Sequence, residues 1–275
     1  MNAQKSNCRL CLQPKPLKSS HVVPDFFIQG IEYEKGTGQG NIPQPHVILL
    51  SKQENIFKPL EKQRGSWEGK LGIKEKLFCG ECERKLSLYE DYTRKFLYGN
   101  VSQPIKKLLL GQSIFQKYPR RLAFSDRRLV TGIDYLKFKL FQISLLWRLS
   151  LSFNFKKIVD LDRHQERMRT TLLSGSFVKW EMYPCIMIDL QREKSTFEDI
   201  FQLIDKFKDE GLWCYRMVAG GYLWWFEVSN HKVSKMASDL ALQENGEMKI
   251  LVADPFPIIQ EWRTSAKNWE QNNPL

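Results

Sequence analysis

The sequence predicts an α+β fold in two parts, and three observations carry this prediction. Two Cys-x-x-Cys pairs stand far apart in the first third of the chain. Apolar residues recur at three- and four-residue steps between Ile133 and Phe155, as on a long buried amphipathic helix. Short apolar runs of strand length follow that segment.

The length and composition are those of a globular protein. The chain has 275 residues, 42% hydrophobic and 27% charged, which suffices for one large or two small domains. The N-terminus lacks the apolar core of a signal peptide. The most apolar run, 136–155, is interrupted by Lys137, Lys139, Gln142 and Arg148, which argues against a membrane span. We therefore expect a cytoplasmic protein.

The positive charge is confined to one part of the chain. The formal net charge is +11, and residues 131–275 hold equal numbers of basic and acidic residues, so the whole imbalance lies in 1–130. A local positive field is typical of proteins that bind polyanions, although a solvated surface has the same composition. This asymmetry predicts a basic module over 1–130 and an accessory α+β domain over 131–275.

Local patterns predict the individual elements. In the first part, residues 46–50 suggest a strand and 86–97 a helix. In the second part, the helix over 133–155 is followed by further helix over 164–173. Another helix is expected over 195–210, with Ser195 as its N-cap and Glu198 completing a capping box. Strands are expected at 185–190, 222–228 and 248–253, with a Gly220-Gly221 hairpin before the second of these.

The paired cysteines indicate a zinc ion. Cys8, Cys11, Cys79 and Cys82 form two Cys-x-x-Cys pairs, each of which places two sulfurs on one tight turn. Four thiolates suit tetrahedral Zn²⁺ and leave no position open for water, so the predicted metal is structural. The two other cysteines, Cys185 and Cys214, lie in apolar runs and are expected to be small core residues.

The surroundings of these cysteines resemble a known enzyme family. The segment SHVVP at 20–24 follows the first pair, and the second pair lies in LFCGECERK at 77–85. This arrangement is similar to the zinc-bearing HNH endonucleases, which have a treble-clef (ββα-metal) fold, and to HNH-like bacterial proteins associated with phage-defence or mobile-element loci. The resemblance covers 6–97. It departs from the family pattern at Ser20, where an acidic residue or His is usual, and in the 67 residues between Cys11 and Cys79.

The resemblance implies a DNA endonuclease with two catalytic residues. His21 takes the place of the general base, and Glu83 takes the place of a metal-ligating His or Asn. Mg²⁺ or Mn²⁺ would be the catalytic cation, with Asp25 or Glu90 as further oxygen ligands. His21 could instead brace the cysteine turn, and Glu83 could be a solvated carboxylate at a helix start.

Basic residues near both motifs are the predicted nucleic-acid contacts, with DNA favoured over RNA. They are Lys18, Arg84, Lys85, Arg120 and Arg121. The run at 117–128 could equally be a solvated face. Two other functions remain open: a non-catalytic zinc module that binds nucleic acid, and a zinc-stabilised protein–protein adaptor. Residues 131–275 would then serve specificity, partner binding or dimerisation, since no nucleotide-binding or hydrolase motif occurs there.

Overall fold

The computed structural model describes residues 6–29, 74–98, 108–109, 124–190, 202–229 and 232–253. Within these ranges the protein is a mixed α+β structure, as the sequence predicts. The predicted strand at 46–50 and the basic residues Lys117, Arg120 and Arg121 lie outside the described residues.

The first part consists of two short antiparallel ribbons and two helices. Its elements are β1 (Ser6–Asn7), β2 (Pro14–Lys15), β3 (Leu17–His21), α1 (Phe26–Gln29), β4 (Lys74–Cys79) and α2 (Gly80–Tyr98). β1 pairs with β2, and β3 pairs with β4 so that Ser20 faces Glu75 and His21 faces Lys74. Helix α2 starts directly after β4, which confirms the helix predicted over 86–97 and extends it towards the N-terminus.

The second part is built on a seven-stranded sheet. The strands are β5 (Leu108–Leu109), β6 (Phe124–Val130), β7 (Cys185–Asp189), β8 (Gln202–Asp209), β9 (Leu212–Ala219), β10 (Tyr222–Val228) and β11 (Met248–Ala253). Their order is β5-β6-β11-β7-β10-β9-β8, antiparallel except for the β11–β7 pair. Since β5 and β6 precede residue 131, the sheet crosses the predicted domain boundary. The strands predicted around 185, 222 and 248 are confirmed.

The glycine pair closes the predicted hairpin. Ala219 pairs with Tyr222 across the turn, and Gly220 and Gly221 have φ angles of 62° and 79°. A two-residue turn with positive φ at both positions matches the twist of antiparallel strands, and glycine adopts it without steric cost.

The long helix α3 (Tyr135–Leu151) is buried nearly all round. Asp134 caps its N-terminus by accepting a hydrogen bond from the Lys137 N–H. Because 14 of its 17 residues are buried, the prediction of an amphipathic helix is wrong in one respect: Lys139 and Arg148 also face the interior. Lys139 Nζ donates to two backbone oxygens at 3.1 Å, which satisfies a group that would otherwise be costly to bury.

Two shorter helices complete the described fold. Helix α4 (Arg163–Ser174) confirms the helix expected over 164–173, and α5 (Lys235–Leu240) packs on the other face of the sheet against β7 and β11. No helix in the described ranges has the length and apolarity needed to cross a membrane.

The helix predicted over 195–210 is wrong in its second half. Residues 202–209 form β8, and Ser195 and Glu198 lie outside the described residues. The cause is a reversal at Glu210 and Gly211, both of which have positive φ. This turn lays β8 along β9, where its backbone groups are hydrogen-bonded, and such tertiary pairing overrides local helix preference.

One hydrophobic core joins the two parts. It runs from Leu10, Val22 and Phe78 of the first part, through α3, to the inner face of the sheet. The ring of Phe78 stacks on Trp147 with centroids 5.6 Å apart. A second, smaller core lies between the opposite sheet face and α5.

Candidate metal centre and the histidine of the ribbon

The four paired cysteines meet at one point. Their sulfur atoms all lie within 4.8 Å of one another, and Cys11 Sγ is 3.9 Å from Cys79 Sγ. Thiolates at about 2.3 Å from a tetrahedral ion would be about 3.8 Å apart. The cluster is therefore able to bind a metal such as zinc, as the spacing of the pairs predicts. In the described part of the chain, no other group of His, Cys, Asp or Glu side chains is gathered in this way.

Local structure explains how each pair is presented. Cys8 and Cys11 lie in the turn between β1 and β2, where Leu12 N donates to Cys8 O at 2.8 Å and Leu12 has φ of 61°. Cys79 ends β4, and Cys82 lies in the first turn of α2. The Cys79 N–H points at Cys8 Sγ (3.3 Å), which links the two pairs directly.

The thiols differ in their tendency to ionise. Burial opposes ionisation of Cys8, but hydrogen bonds from backbone N–H groups outweigh it and lower the pKa of this thiol to about 7. Burial and the neighbouring thiols raise the pKa of Cys82 well above its ordinary value. A bound cation would favour the thiolate form of both.

The second part of the chain also supports the cysteine turn. Arg169 of α4 donates from Nη1 to the backbone oxygen of Leu10 at 2.6 Å, and its Nη2 pairs with Glu166. Cys185 and Cys214 are buried in the sheet, remote from the cluster in the fold, as expected for core residues. Burial raises the pKa of both thiols, so both remain protonated at neutral pH.

His21 ends β3, and its side chain is 25% exposed. Its Nε2 lies 3.6 Å from Asp25 Oδ1, slightly beyond hydrogen-bond distance, and has no hydrogen-bond partner among the described residues. Burial lowers the pKa of His21, and the negative charge of Asp25 opposes part of that shift. Nε2 itself is buried, although part of the ring is exposed, and in the neutral imidazole an unbonded ring nitrogen is able to accept a proton.

Arg148 of α3 connects His21 to helix α2. Its Nη1 donates to the backbone oxygen of His21 at 3.1 Å and lies 2.5 Å from Glu90 Oε1. Glu90 and Asp25 are thus the carboxylates whose charges act on His21. Glu83 lies two helical turns before Glu90 on the same face of α2, about 10 Å closer to the cysteines. Its Oε1 is buried without a partner in the described structure.

The predicted nucleic-acid contacts divide into three groups. Lys18 and Arg84 are exposed near the cysteine cluster. Lys85 donates to the backbone oxygen of Leu173 at the end of α4, so its ammonium group has a structural partner. Arg120 and Arg121 lie outside the described residues.

Part of the basic run at 117–128 is not a solvated face. Arg127 is 7% exposed and pairs with Asp239 at 3.1 Å, and Arg128 pairs with Asp189 at 2.7 Å. Both arginines lie in β6, where their side chains are tied to neighbouring parts of the sheet domain.

Sequence reasoning did not assign Arg148 to the site. Its only signal in the sequence is a charge within an otherwise apolar run. A buried arginine needs a partner of opposite charge, and that requirement pointed to an acidic residue elsewhere without identifying Glu90.

Comparison with known proteins adds no family assignment: no family model matches the chain, and neither a curated protein nor a solved structure matches it significantly.

Proposed function

We propose that this protein is a metal-dependent endonuclease of HNH type that acts on DNA. In this proposal one zinc ion, bound by the four paired cysteines, stabilises a treble-clef module, and His21 is the general base. The observation that carries the proposal is the position of His21: it ends β3 at the end of the β3–β4 ribbon opposite to Cys79, with two carboxylates acting on its imidazole.

The local architecture supports a treble clef. That fold combines a cysteine turn, a β-ribbon and a helix whose first turn supplies the last metal ligands. Here the β1–β2 turn carries Cys8 and Cys11, the β3–β4 ribbon ends at Cys79, and α2 carries Cys82 in its first turn. With four sulfur ligands the zinc would have no open position, so its role would be to hold these elements together.

The chemistry of His21 supports the role of base. Because burial lowers its pKa, the imidazole is neutral at physiological pH, and Nε2 has no hydrogen-bond partner in the described structure. Nε2 is itself buried, so it could take a proton from a water molecule that attacks a phosphodiester only if that water reaches it on substrate binding. The net charge of +11 favours approach of a polyanion.

Oxygen ligands for a divalent cation are present beside His21. These are Asp25 and Glu90, whose charges act on its imidazole; Glu83, which has an unpartnered, buried oxygen, lies about 10 Å along α2 from Glu90 and would have to reach the same cation from there. Mg²⁺ or Mn²⁺ bound by such groups would offset the negative charge that develops on the scissile phosphate.

A non-catalytic module that binds nucleic acid is the second candidate. It is favoured by the ion pair between Glu90 and Arg148, since a carboxylate engaged by a guanidinium is a weaker cation ligand. This candidate predicts affinity for DNA that falls steeply with salt, and no cleavage with any divalent metal.

The test is plasmid nicking in Mg²⁺ or Mn²⁺ by the wild type, His21→Ala and His164→Ala. We expect loss of the base to slow nicking by about a hundredfold or more. His164→Ala is the matched control, because His164 lies at the start of α4 and its ring contacts Tyr183, neither of which belongs to the proposed site. Zinc content should be equal in all three proteins. If His21→Ala nicks as fast as the wild type, His21 is not the base; if none of the proteins nicks DNA, the non-catalytic candidate replaces the nuclease.

A further inference from the structure

A large aromatic side chain projects into solvent beside the β3–β4 ribbon. Phe153 directly follows the C-cap of α3 and is 76% exposed. The ammonium group of Lys156 lies 5.3 Å from the centre of its ring. Phenylalanine is normally buried, and an exposed ring next to a cation is a surface suited to a ligand with both flat apolar groups and negative charge.

A second exposed aromatic side chain also lies next to lysine ammonium groups. Trp213 of β9 is 43% exposed, and the ammonium groups of Lys206 and Lys208 lie 4.5 Å and 4.7 Å from its ring centre. Tyr215, Trp224 and Phe226, aromatic residues of the same two strands, are buried. Trp213 is the second residue of β9, next to the β8–β9 turn and beside the edge strand β8.

One segment of the chain links both aromatics to the His21 ribbon. This α3–α4 connection, residues 152–162, is fixed at its start to Glu75, which accepts hydrogen bonds from Phe153 N at 3.0 Å and Asn154 Nδ2 at 3.2 Å. Glu75 pairs with Ser20, the residue before His21.

The other end of the connection is fixed to the sheet. Asp160 accepts hydrogen bonds at its backbone oxygen from Lys206 Nζ, at 3.3 Å, and from the Tyr215 hydroxyl. Its carboxylate is 3.9 Å from the same ammonium group, so its negative charge is partly offset. The surface along this connection therefore carries Phe153 at its ribbon end and, through Lys206, Trp213 at its sheet end.

We propose that this surface binds single-stranded nucleic acid, with Phe153 and Trp213 stacking on bases and the adjoining lysines contacting phosphates. In a duplex the flat faces of the bases are already stacked on one another, whereas a single strand offers them to aromatic side chains. The inference rests on the proposed function, because it specifies the form of the nucleic acid that the nuclease would engage. Its test is a binding measurement that does not depend on cleavage.

The experiment measures fluorescence anisotropy of a labelled oligothymidylate, an oligouridylate of equal length and a blunt DNA duplex. All variants are made in the full-length His21→Ala protein, so that no probe is cleaved. We expect Phe153→Ala and Trp213→Ala each to weaken single-strand binding by about tenfold. Phe153→Trp and Trp213→Phe should restore it, because both keep a ring for stacking.

Phe177→Ala is the matched control. Phe177 is also exposed, at 60%, but it packs on Tyr135 at another site. We expect this variant to bind every probe as the parent does, and the duplex to bind more weakly than either single strand. Binding of the duplex at least as tightly as the single strands would overturn the proposal. So would an unchanged affinity in both alanine variants, or an equal loss in Phe177→Ala.

The outcome is distinguishable from that of the nicking assay. A protein that nicks no DNA but loses single-strand affinity in the Phe153 and Trp213 variants retains this surface without the nuclease. A protein that nicks DNA through His21 but binds single strands equally well in all variants retains the nuclease without this surface.

Discussion

Arg148 Nη1 lies 2.5 Å from Glu90 Oε1 and 3.1 Å from the backbone oxygen of His21. A single buried guanidinium of α3 thus contacts both α2 and the end of β3. Its Nε and Nη2 have no hydrogen-bond partner among the described residues, so the Glu90 carboxylate is the main compensation for burying this charge. The position of His21 relative to α2 depends on an arginine 127 residues later in the sequence.

Removing one member of this pair should be costly. We expect Arg148→Met to lower the free energy of unfolding by about 3 kcal/mol, because Glu90 loses its buried partner. Urea denaturation of the wild type, both single variants and the double variant with Glu90→Gln gives the coupling between the two side chains. The double variant should be more stable than the sum of the single losses predicts. Simple additivity would show that the pair contributes nothing.

Metal content should follow the paired cysteines alone. We expect one zinc ion per chain in the wild type, measured by mass spectrometry of the metal after purification without added zinc. Cys82→Ser should lose the ion and melt at a lower temperature, because metal binding contributes directly to the folding of such a site. Cys214→Ser, which alters a buried thiol in the sheet, should keep it. Equal zinc in both variants would contradict the assignment.

Lys139 should make stability depend on pH. It is buried, and burial lowers its pKa from 10.5 to about 7. Between these values the unfolded chain binds more protons than the folded protein, so this group makes stability rise with pH, by up to about 1.4 kcal/mol per pH unit. The free energy of unfolding of Lys139→Met minus that of the wild type should therefore be larger at pH 7 than at pH 9.

The measurement is chemical denaturation of the wild type and variant at both pH values. Lys137→Met is the control, since Lys137 is about half exposed and pairs with Asp134 at 2.7 Å, which raises its pKa. Its charge is therefore unchanged between pH 7 and 9, and the variant should follow the pH dependence of the wild type. A Lys139→Met protein that also follows it would mean that Lys139 is charged in the fold.

Gly246 should tolerate no side chain. Its φ is +78°, and an added Cβ would lie 2.4 Å from the backbone oxygen of Ile133, just before α3. Gly211 has a similar φ of +82° with nothing within 4 Å of the same position. Both alanine variants carry the cost of a left-handed residue, about 1–2 kcal/mol, and Gly246→Ala adds the clash. Thermal melts should rank Gly246→Ala well below Gly211→Ala; equal melting temperatures would contradict this account.

The cysteine cluster could be predicted from sequence because its signal is chemical. Two Cys-x-x-Cys pairs in one chain are typical of a shared metal site, so the sequence predicts that they meet despite the 67 residues between Cys11 and Cys79. Helix α3 and strands β7, β10 and β11 were likewise predictable, because their apolar runs are long and their ends are marked by turn residues.

Strand β8 and the partners of His21 could not be predicted in this way. The segment ending at Asp209 carries a helix-like pattern, and only pairing with β9 decides its structure. The ribbon and α2 place Asp25 and Glu90, rather than Glu83, where their charges act on His21. These contacts depend on how distant segments pack, which the local periodicity of the sequence does not predict.

The continuous core that runs from Phe78 through Trp147 into the sheet has a consequence for how the protein melts. A chain cut at residue 130 would remove β6 from its sheet and expose apolar surface on both fragments. The two parts should therefore unfold in a single cooperative transition, and stripping the metal should loosen the distant sheet as well as the N-terminus.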